Sequence, residues 1–320
     1  MQSLKFYIDN PRVFGFSLLD KFGYLLSDKL YLQLLYYFRM GKKLHLKHPR
    51  TFNEKLQWLK LYDRRSEYTV MVDKVKAKEY VALKIGEEYI IPTLGVWEDP
   101  DEIDFDALPN QFVLKCNHSS GGLCICTDKS QLDISKVKED LRKGLRDNYY
   151  LHGREWPYKN VPRRILAEKF MMDESDEGDL ILRGERREKT DLRDYKFFCF
   201  DGEPRLCQVI SDRTADEKID FYDMNWHRII GLIGLIGLSE NVHNSDDDIL
   251  CPRSYNKMKQ MARVLSKDLP FSRIDFYEIN GNPYFGEITF YPACGFGEFR
   301  PNEWNTTIGE WVHLPIGAQQ

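Results

Sequence analysis

The segment FSRIDFYEINGNPYFGEITFYP, residues 271–292, constrains the architecture more than any other stretch of the chain. Two runs of aromatic and β-branched residues flank Asn280-Gly281, which predicts an antiparallel hairpin. Within those strands stand Arg273, Asp275, Glu287 and Thr289. A carboxylate in a core-like strand is costly unless it is paired, hydrogen-bonded or bound to a cation. The register decides which. A two-residue loop at Asn280-Gly281 puts Asp275 opposite Gly286 and leaves Asp275 and Glu287 on opposite faces. A three-residue loop sets Asp275 against Glu287 and Arg273 against Thr289, so that all four share a face. The spacing leaves both open, and a bulge is a further option. On a shared face, Asp275 and Glu287 are hard oxygen ligands suited to Mg2+, with Thr289 as a third oxygen and Arg273 as a neutralising cation. The competing reading is a cross-strand ion pair on a solvated sheet face.

A second hairpin is predicted in DYKFFCFDGEPRLCQVI, turning at Asp201-Gly202. A third, FVLKCNHSSGGLCICT, has a small-residue tip whose backbone amides could approach phosphate oxygens, with Lys115 just before it. Neither a GxxxxGK[ST] motif nor a strand-initiated GxGxxG is present. His118 reads as an exposed hairpin-tip residue in reach of a phosphate or acceptor. Lys74, Lys169 and Lys196 are further candidate cations, since a nucleotide's phosphates need several.

Helical spacing covers residues from Phe16 to about Tyr62, and helices are also predicted in DKVKAKEYVALKIG, QLDISKVKEDLRKGLRDNYY, SYNKMKQMARVLSKDL and the tail after Arg300. RRILAEKFMM reads as a strand running into an acidic loop. The connector RMGKKLHLKHPR, with Arg39, Lys42, Lys43, Lys47 and Arg50, is read as a solvated loop in preference to an anionic-ligand or membrane-surface contact. IIGLIGLIGL is too short to span a bilayer and is expected to pack on the domain. Tyr291, Cys294 and Phe296 read as core residues rather than lining of an acceptor pocket.

The net charge of −4 gives no drive toward nucleic acid. Seven cysteines without zinc-type spacing, and no secretory or membrane-spanning run, fit a cytoplasmic protein.

The order of DK opening a helix, FVLKCNHSSGG, ILAEKF, DYKFF and RID…GEIT resembles the ATP-grasp superfamily. FNEKLQWLKLYDR, LPNQFVLKCNHSSG, DYKFFCFDGEP and FGEITFYPACGF resemble its TupA-like branch, associated with bacterial surface-polysaccharide synthesis. The resemblance runs from about residue 50 to the end.

It implies an α+β fold in which two α+β subdomains clamp ATP, preceded by an N-terminal helical extension: residues 1–66 helical, 67–165 the first ATP-grasp part with the phosphate loop, 166–320 the second with the adenine hinge and metal hairpin. By position, Lys74 and Lys115 match phosphate-facing lysines, and Ser119, Ser120, Gly121 and Gly122 the closing loop. Glu168, Lys169, Phe170 and Met171 match the hinge whose backbone reads adenine. Lys196 matches a basic residue near the phosphates, Arg273 the arginine facing the transferred group, and Asp275 and Glu287 the metal ligands. Thr289 stands where the wider superfamily has Asn.

The resemblance further implies a carboxylate–amine ligase using ATP and Mg2+. Its partners would be a glycan or uronic-acid acceptor and an amino acid or amine, with peripheral contact to membrane-bound polysaccharide assembly machinery and no nucleic acid. A glycosyltransferase, a phosphotransferase and a non-catalytic nucleotide-binding scaffold are the alternatives.

Overall fold

The structure, a computed structural model, describes residues 11–119, 121–173, 192–211, 217–236 and 243–315. Helices α1 (Pro11–Phe22) and α2 (Asp28–Met40) form an antiparallel pair, and α3 (Phe52–Tyr62), α4 (Glu67–Val72) and α5 (Lys76–Ile85) follow. Their ends are written locally. The Ser27 hydroxyl accepts from the Leu30 amide to open α2, and Gly41 closes it in the left-handed region. Thr51 and Glu54 form a reciprocal capping box on α3. As the sequence predicts, α5 stops at Gly86, whose φ of 115° suits glycine.

Next come β1 (Thr93–Trp97), β2 (Phe112–Cys116), β3 (Cys124–Cys126), α6 (Ile134–Arg146), α7 (Tyr149–Gly153) and β4 (Ile165–Lys169). These strands make an antiparallel sheet in the order β1-β4-β2-β3. Its core is small: Phe112, Leu114, Ile165 and Ala167 pack against Val137 and Leu141 of α6.

The second half holds β5 (Asp194–Phe200), β6 (Glu203–Ser211), β7 (Lys218–Tyr222), β8 (Ile233–Ile236), α8 (Tyr255–Leu265), β9 (Phe271–Ile279), β10 (Asn282–Thr289), β11 (Glu298–Arg300) and α9 (Glu303–Trp311). Five of these strands form a sheet in the order β10-β9-β5-β6-β7, while β8 pairs with β11. The turn between β5 and β6 uses Asp201 and Gly202, both at positive φ, as the hairpin signal demands. Every residue of β5 is buried, so this strand runs through the centre of the larger core: Phe200 and Phe271 pack on Phe52 of α3 at one face of the sheet, and Phe197 packs with Phe276 and with Tyr255 of α8 at the other.

The insertion at IIGLIGLIGL contributes Leu232, fully buried, and β8, so part of it packs on the domain; residues 237–242 lie outside the described residues. The acidic loop at 174–191 also lies outside them.

Candidate active site

The hairpin of β9 and β10 settles the question of register in a way that neither simple loop predicts. Asn280 and Gly281 form the two-residue turn, both at positive φ, and Ile279 faces Asn282. A bulge at Gly286 then shifts the pairing by one residue, so that Glu287 stands opposite Asp275 and Thr289 opposite Arg273. The short loop and the shared face therefore coexist. A side chain at Gly286 would sit 3.1 Å from the Asp275 carbonyl, which explains glycine at the bulge.

Pairing continues across the sheet, since Lys196 of β5 faces Asp275 of β9. Lys196, Asp275 and Glu287 thus form a row over three strands. The Lys196 Nζ lies 2.6 Å from Asp275 Oδ2 and 3.3 Å from Asp194 Oδ2. Arg273 donates from Nε to Asp275 Oδ1 and from Nη2 to Asp275 Oδ2, each at 2.7 Å. The same Nη2 reaches Glu287 Oε1 and Thr289 Oγ1, each at 3.1 Å. Burial works against the guanidinium's charge, but Asp275 and Glu287 outweigh it and raise the Arg273 pKa. Burial also works against the Glu287 carboxylate, and Lys74, Arg273 and Lys196 reverse that, holding its pKa to about 2.

Three oxygens, from Asp275, Glu287 and Thr289, therefore converge on one point that a cation already occupies, the Nη2 of Arg273. Carboxylate and hydroxyl oxygens are the donors a hard divalent ion takes, but the point these share is filled by the guanidinium, so an ion would use their remaining lone pairs beside it. No cluster of three or more His, Cys, Asp or Glu side chains suited to a metal forms among the described residues, so the donor set is two carboxylates and a hydroxyl.

Facing Glu287 is a narrow cleft between the two sheets, lined by Lys74, Lys78, Lys115, Glu168, Phe285 and Glu287 with apolar neighbours from α4 and α5. Lys115 and Glu168 lie diagonally on one face of the β2–β4 pair. Glu168 Oε2 is 2.5 Å from Lys115 Nζ, and Glu168 Oε1 is 2.6 Å from Lys78 Nζ. Burial raises the Glu168 pKa, but the two ammonium groups prevail and lower it. Burial lowers the pKa of Lys74 and of Lys78.

Lys74 is held over the tip of the β2–β3 hairpin, donating to the Ser119 carbonyl at 2.8 Å. Its backbone is fixed by a network the sequence reading did not single out. Asn117, fully buried, donates to Asp73 Oδ1 at 2.7 Å and accepts from the Arg164 amide at 2.7 Å, and Arg164 pairs with Asp73 Oδ2 at 2.8 Å. Asp73 also accepts from the Val75 amide at the start of α5. The tip itself is compact: Gly122 has φ +65°, and a Cβ there would meet Cys116 Sγ at 2.6 Å. Gly121 donates to the Ser119 hydroxyl, and Ser120 lies outside the described residues.

Two expectations need correction. His118 is not an exposed tip residue. It is 3% exposed, with Nε2 3.1 Å from the Asp147 carbonyl, because the turn between α6 and α7 folds over it. Burial lowers its pKa. Lys169 is exposed at the end of β4, away from the lysines of the cleft, and its amide already donates to the Pro92 carbonyl at 3.0 Å. Phe170 and Met171, half-buried, follow the strand.

The loop after β10 is clamped from the N-terminal helices. Asn53, Gln57 and Lys60 occupy one buried face of α3 and donate to backbone carbonyls: Asn53 to Gly295 and Gly297 at 3.1 and 2.7 Å, Gln57 to Gly295 at 2.8 Å, Lys60 to Cys294 and Gly153 at 2.7 and 2.8 Å. Ala293, Cys294 and Gly295 run consecutively at positive φ, a conformation that non-glycine residues hold only when their surroundings impose it. Tyr291 and Phe296 are buried, as expected of core residues, and Cys294 is half-buried.

No curated protein matches this chain. Among solved structures it is similar to D-alanine–D-alanine ligase from Helicobacter pylori, with 13% identity, a TM-score of 0.44 and 82% of this chain covering 69% of that one. It is also similar to the D-alanine–D-alanine ligase from Bacillus anthracis complexed with ATP, with 16% identity, a TM-score of 0.38 and 70% of this chain covering 55% of that one. The ATP-grasp ligase PsnB complexed with a minimal precursor variant, Mg and ADP gives 8% identity, a TM-score of 0.34 and 75% of this chain covering 57% of that one. The chain thus spans little more than half the length of the last two. The family described as TupA-like ATPgrasp matches residues 54–313, and by that match the chain belongs to the TupA-like ATP-grasp family.

Proposed function

We propose that this protein is an ATP-dependent carboxylate–amine ligase that joins an amino acid or amine to a cell-surface polysaccharide or its precursor in the cytoplasm. The observation that carries the reaction class is the convergence of Arg273, Asp275, Glu287 and Thr289 at one end of a cleft whose walls carry Lys74, Lys78 and Lys115. The polysaccharide rests on the setting of the TupA-like branch.

In this reaction a substrate carboxylate oxygen attacks the γ-phosphorus and ADP leaves with the bridging oxygen. An amine nitrogen then attacks the acyl carbon, losing a proton as phosphate departs. Phosphoryl transfer of this kind requires positioning and charge neutralisation rather than a protein nucleophile. Lys74 and Lys115 face the triphosphate, joined by Lys78, and the hairpin tip from Ser119 to Gly122 closes over it. Arg273 and Lys196 neutralise the transferred group. Adenine lies beside Glu168 to Met171; with the Lys169 amide already bonded to Pro92, the base-reading donor lies further along, at Phe170 or Met171. Asp275, Glu287 and Thr289 would hold Mg2+, which supplies neutralisation of the phosphate charge.

The test is calorimetry of ATP binding with and without Mg2+ on wild type and on Glu287→Gln, followed by ADP release with uronic acids and amines. Magnesium-dependent binding weakened in the variant is the expected result. Binding of a sugar nucleotide in place of ATP would move the assignment to a glycosyltransferase, and a phosphorylated product that forms without an amine would move it to a phosphotransferase.

A further inference from the structure

Helix α1 is apolar on two sides, and among the described residues only one of them packs against the protein. Leu19 is buried against α2, where Tyr31, Leu32, Leu35 and Tyr36 form a small core. On the outer side, Leu18 and Phe22 are 43% and 47% exposed, and Leu25 in the turn that follows is 70% exposed. These positions recur at i, i+4 and i+7, so they form one stripe on successive turns. Tyr24 and Leu30 extend it toward α2, both exposed. Large apolar side chains in a continuous exposed row mark a contact surface rather than ordinary surface scatter.

The charge of the segment that carries the stripe argues for what covers it, although Lys42 within that segment is paired with Glu298 and Arg39 stacks on Phe16 and Phe296. Between residues 11 and 50 there are eight arginines and lysines against two aspartates, a formal +6 in a chain whose net charge is −4. One of those aspartates, Asp28, is turned inward, bonded to Arg64 at 2.7 Å and to the Tyr150 hydroxyl. Lys21 and Lys29 are exposed beside the stripe, with the Lys21 ammonium 5.4 Å from the Phe22 ring centroid. Phe and Leu on a helix flanked by lysines, within a basic segment of an acidic chain, match an anionic bilayer surface: side chains enter the acyl boundary while ammonium groups meet phosphate headgroups. No helix among the described residues is long and apolar enough to cross a membrane, so the contact is peripheral.

We propose that the outer face of α1 and its following turn docks on an anionic lipid surface. The docked face adjoins α2, on which the loop after β10 rests. Phe296, in the loop after β10, packs on α2 with its ring centroid 6.2 Å from that of Tyr36 and with the Arg39 guanidinium 5.3 Å above it. Docking itself does not depend on the ligase assignment.

Flotation of the full chain with vesicles of phosphatidylcholine alone and of phosphatidylcholine with phosphatidylglycerol tests this. Wild type is expected to float with the anionic vesicles only, and less as salt is raised. Lys21→Gln and Lys29→Gln should each weaken binding about fivefold. Leu18→Asp with Phe22→Asp should abolish it. All these substitutions lie on the surface, and retained thermal unfolding and ATP binding check that the variants are folded. Absence of wild-type flotation, equal flotation with neutral vesicles, or flotation unchanged in the variants would overturn the proposal. So would a wild-type dimer that does not float and that the aspartate variant converts to monomer, which would make this face a contact between copies. Loss of ATP binding in wild type would sink the ligase reading and leave the docking result standing.

Discussion

Lys196 on β5 and Asp275 on β9 stand opposite each other across paired strands, with Nζ 2.6 Å from Oδ2 and both side chains buried. A buried pair is costly to break from one side, about 3 to 5 kcal/mol, because the surviving charge loses its partner. Here Arg273 also bonds Asp275, so Asp275 keeps a cation when Lys196 is removed. Lys196→Met and Asp275→Asn should each lower stability in urea unfolding by about 3 kcal/mol, and the double variant by less than the sum. Strict additivity would mean that the contact carries no coupling energy.

Glu287 keeps 39% side-chain exposure toward the cleft, yet its carboxyl is held to about 2 by Lys74, Arg273 and Lys196 against burial. The folded value lies below the ordinary one. Its stabilising contribution is therefore complete above the ordinary carboxylate pKa and is lost as pH falls toward 2. Thermal unfolding of wild type and of Glu287→Gln should show a constant difference from pH 7 to about 5 and a narrowing gap below about 4.5. A gap that changes between pH 7 and 5 would contradict the charge arrangement.

Gly286 sits where β10 changes register, with its missing Cβ 3.1 Å from the Asp275 carbonyl and 3.3 Å from the Tyr277 ring. Alanine there requires the Asp275 carbonyl and the Tyr277 ring to give by a few tenths of an ångström. The expected cost is about 1 to 2 kcal/mol in stability, with a greater proportional loss in Mg-ATP affinity, because the carboxylate row depends on that register. Calorimetry alongside urea unfolding separates the two. Unchanged nucleotide binding would show that the bulge does not align the site.

Much of this architecture can be read from the chain because its signals are local. Asp201-Gly202 and Asn280-Gly281 specify tight turns by themselves, Gly86 ends α5, and alternating aromatic residues mark β5 and β9. What cannot be read depends on distant backbone. One glycine at 286 reverses the faces predicted from the Asn280-Gly281 turn, since strand side chains alternate with a period of two. The burial of His118 requires the Asp147 carbonyl, 29 residues further along. Lys78 looks like any solvated helix lysine until β4 brings Glu168 beside it. A spacing of four between Lys74 and Lys78 puts both on adjoining turns at the start of α5, a signal that could have singled out Lys78. Asn117 carries a comparable clue, directly after the Lys115-Cys116 strand end.

Glu168 joins Lys78 and Lys115 within the cleft, at 2.6 and 2.5 Å. Replacing it with Gln leaves two ammonium groups close together with their shared counter-charge removed. Glu168→Gln should lose about 3 kcal/mol of stability without ligand. Added triphosphate should then raise its unfolding temperature more than that of wild type, because the anion supplies the missing charge. An equal rise in both proteins would place the lysines outside the phosphate site.

Lys60 connects the N-terminal helices to the loop after β10 through the carbonyls of Gly153 and Cys294, and it is fully buried. The cation also lies near Glu155, whose carboxyl is raised by burial and held back by Lys60. Lys60→Met removes both bonds and that compensation, so a stability loss of about 3 kcal/mol is expected. Its kinetic consequence distinguishes a clamp from mere packing. Of the consecutive left-handed residues 293–295, the variant releases the Cys294 carbonyl while Asn53 and Gln57 still hold Gly295, which loosens the loop after β10 but leaves Lys74, Lys115 and the cleft in place. At a temperature where the variant is folded, turnover should fall several-fold while ATP affinity by calorimetry stays unchanged. Gln57→Leu, which removes one of the two α3 donors to the Gly295 carbonyl and leaves that of Asn53, should lower turnover in the same direction and by less. A parallel loss of ATP affinity in both variants would show that α3 supports the whole site rather than this loop.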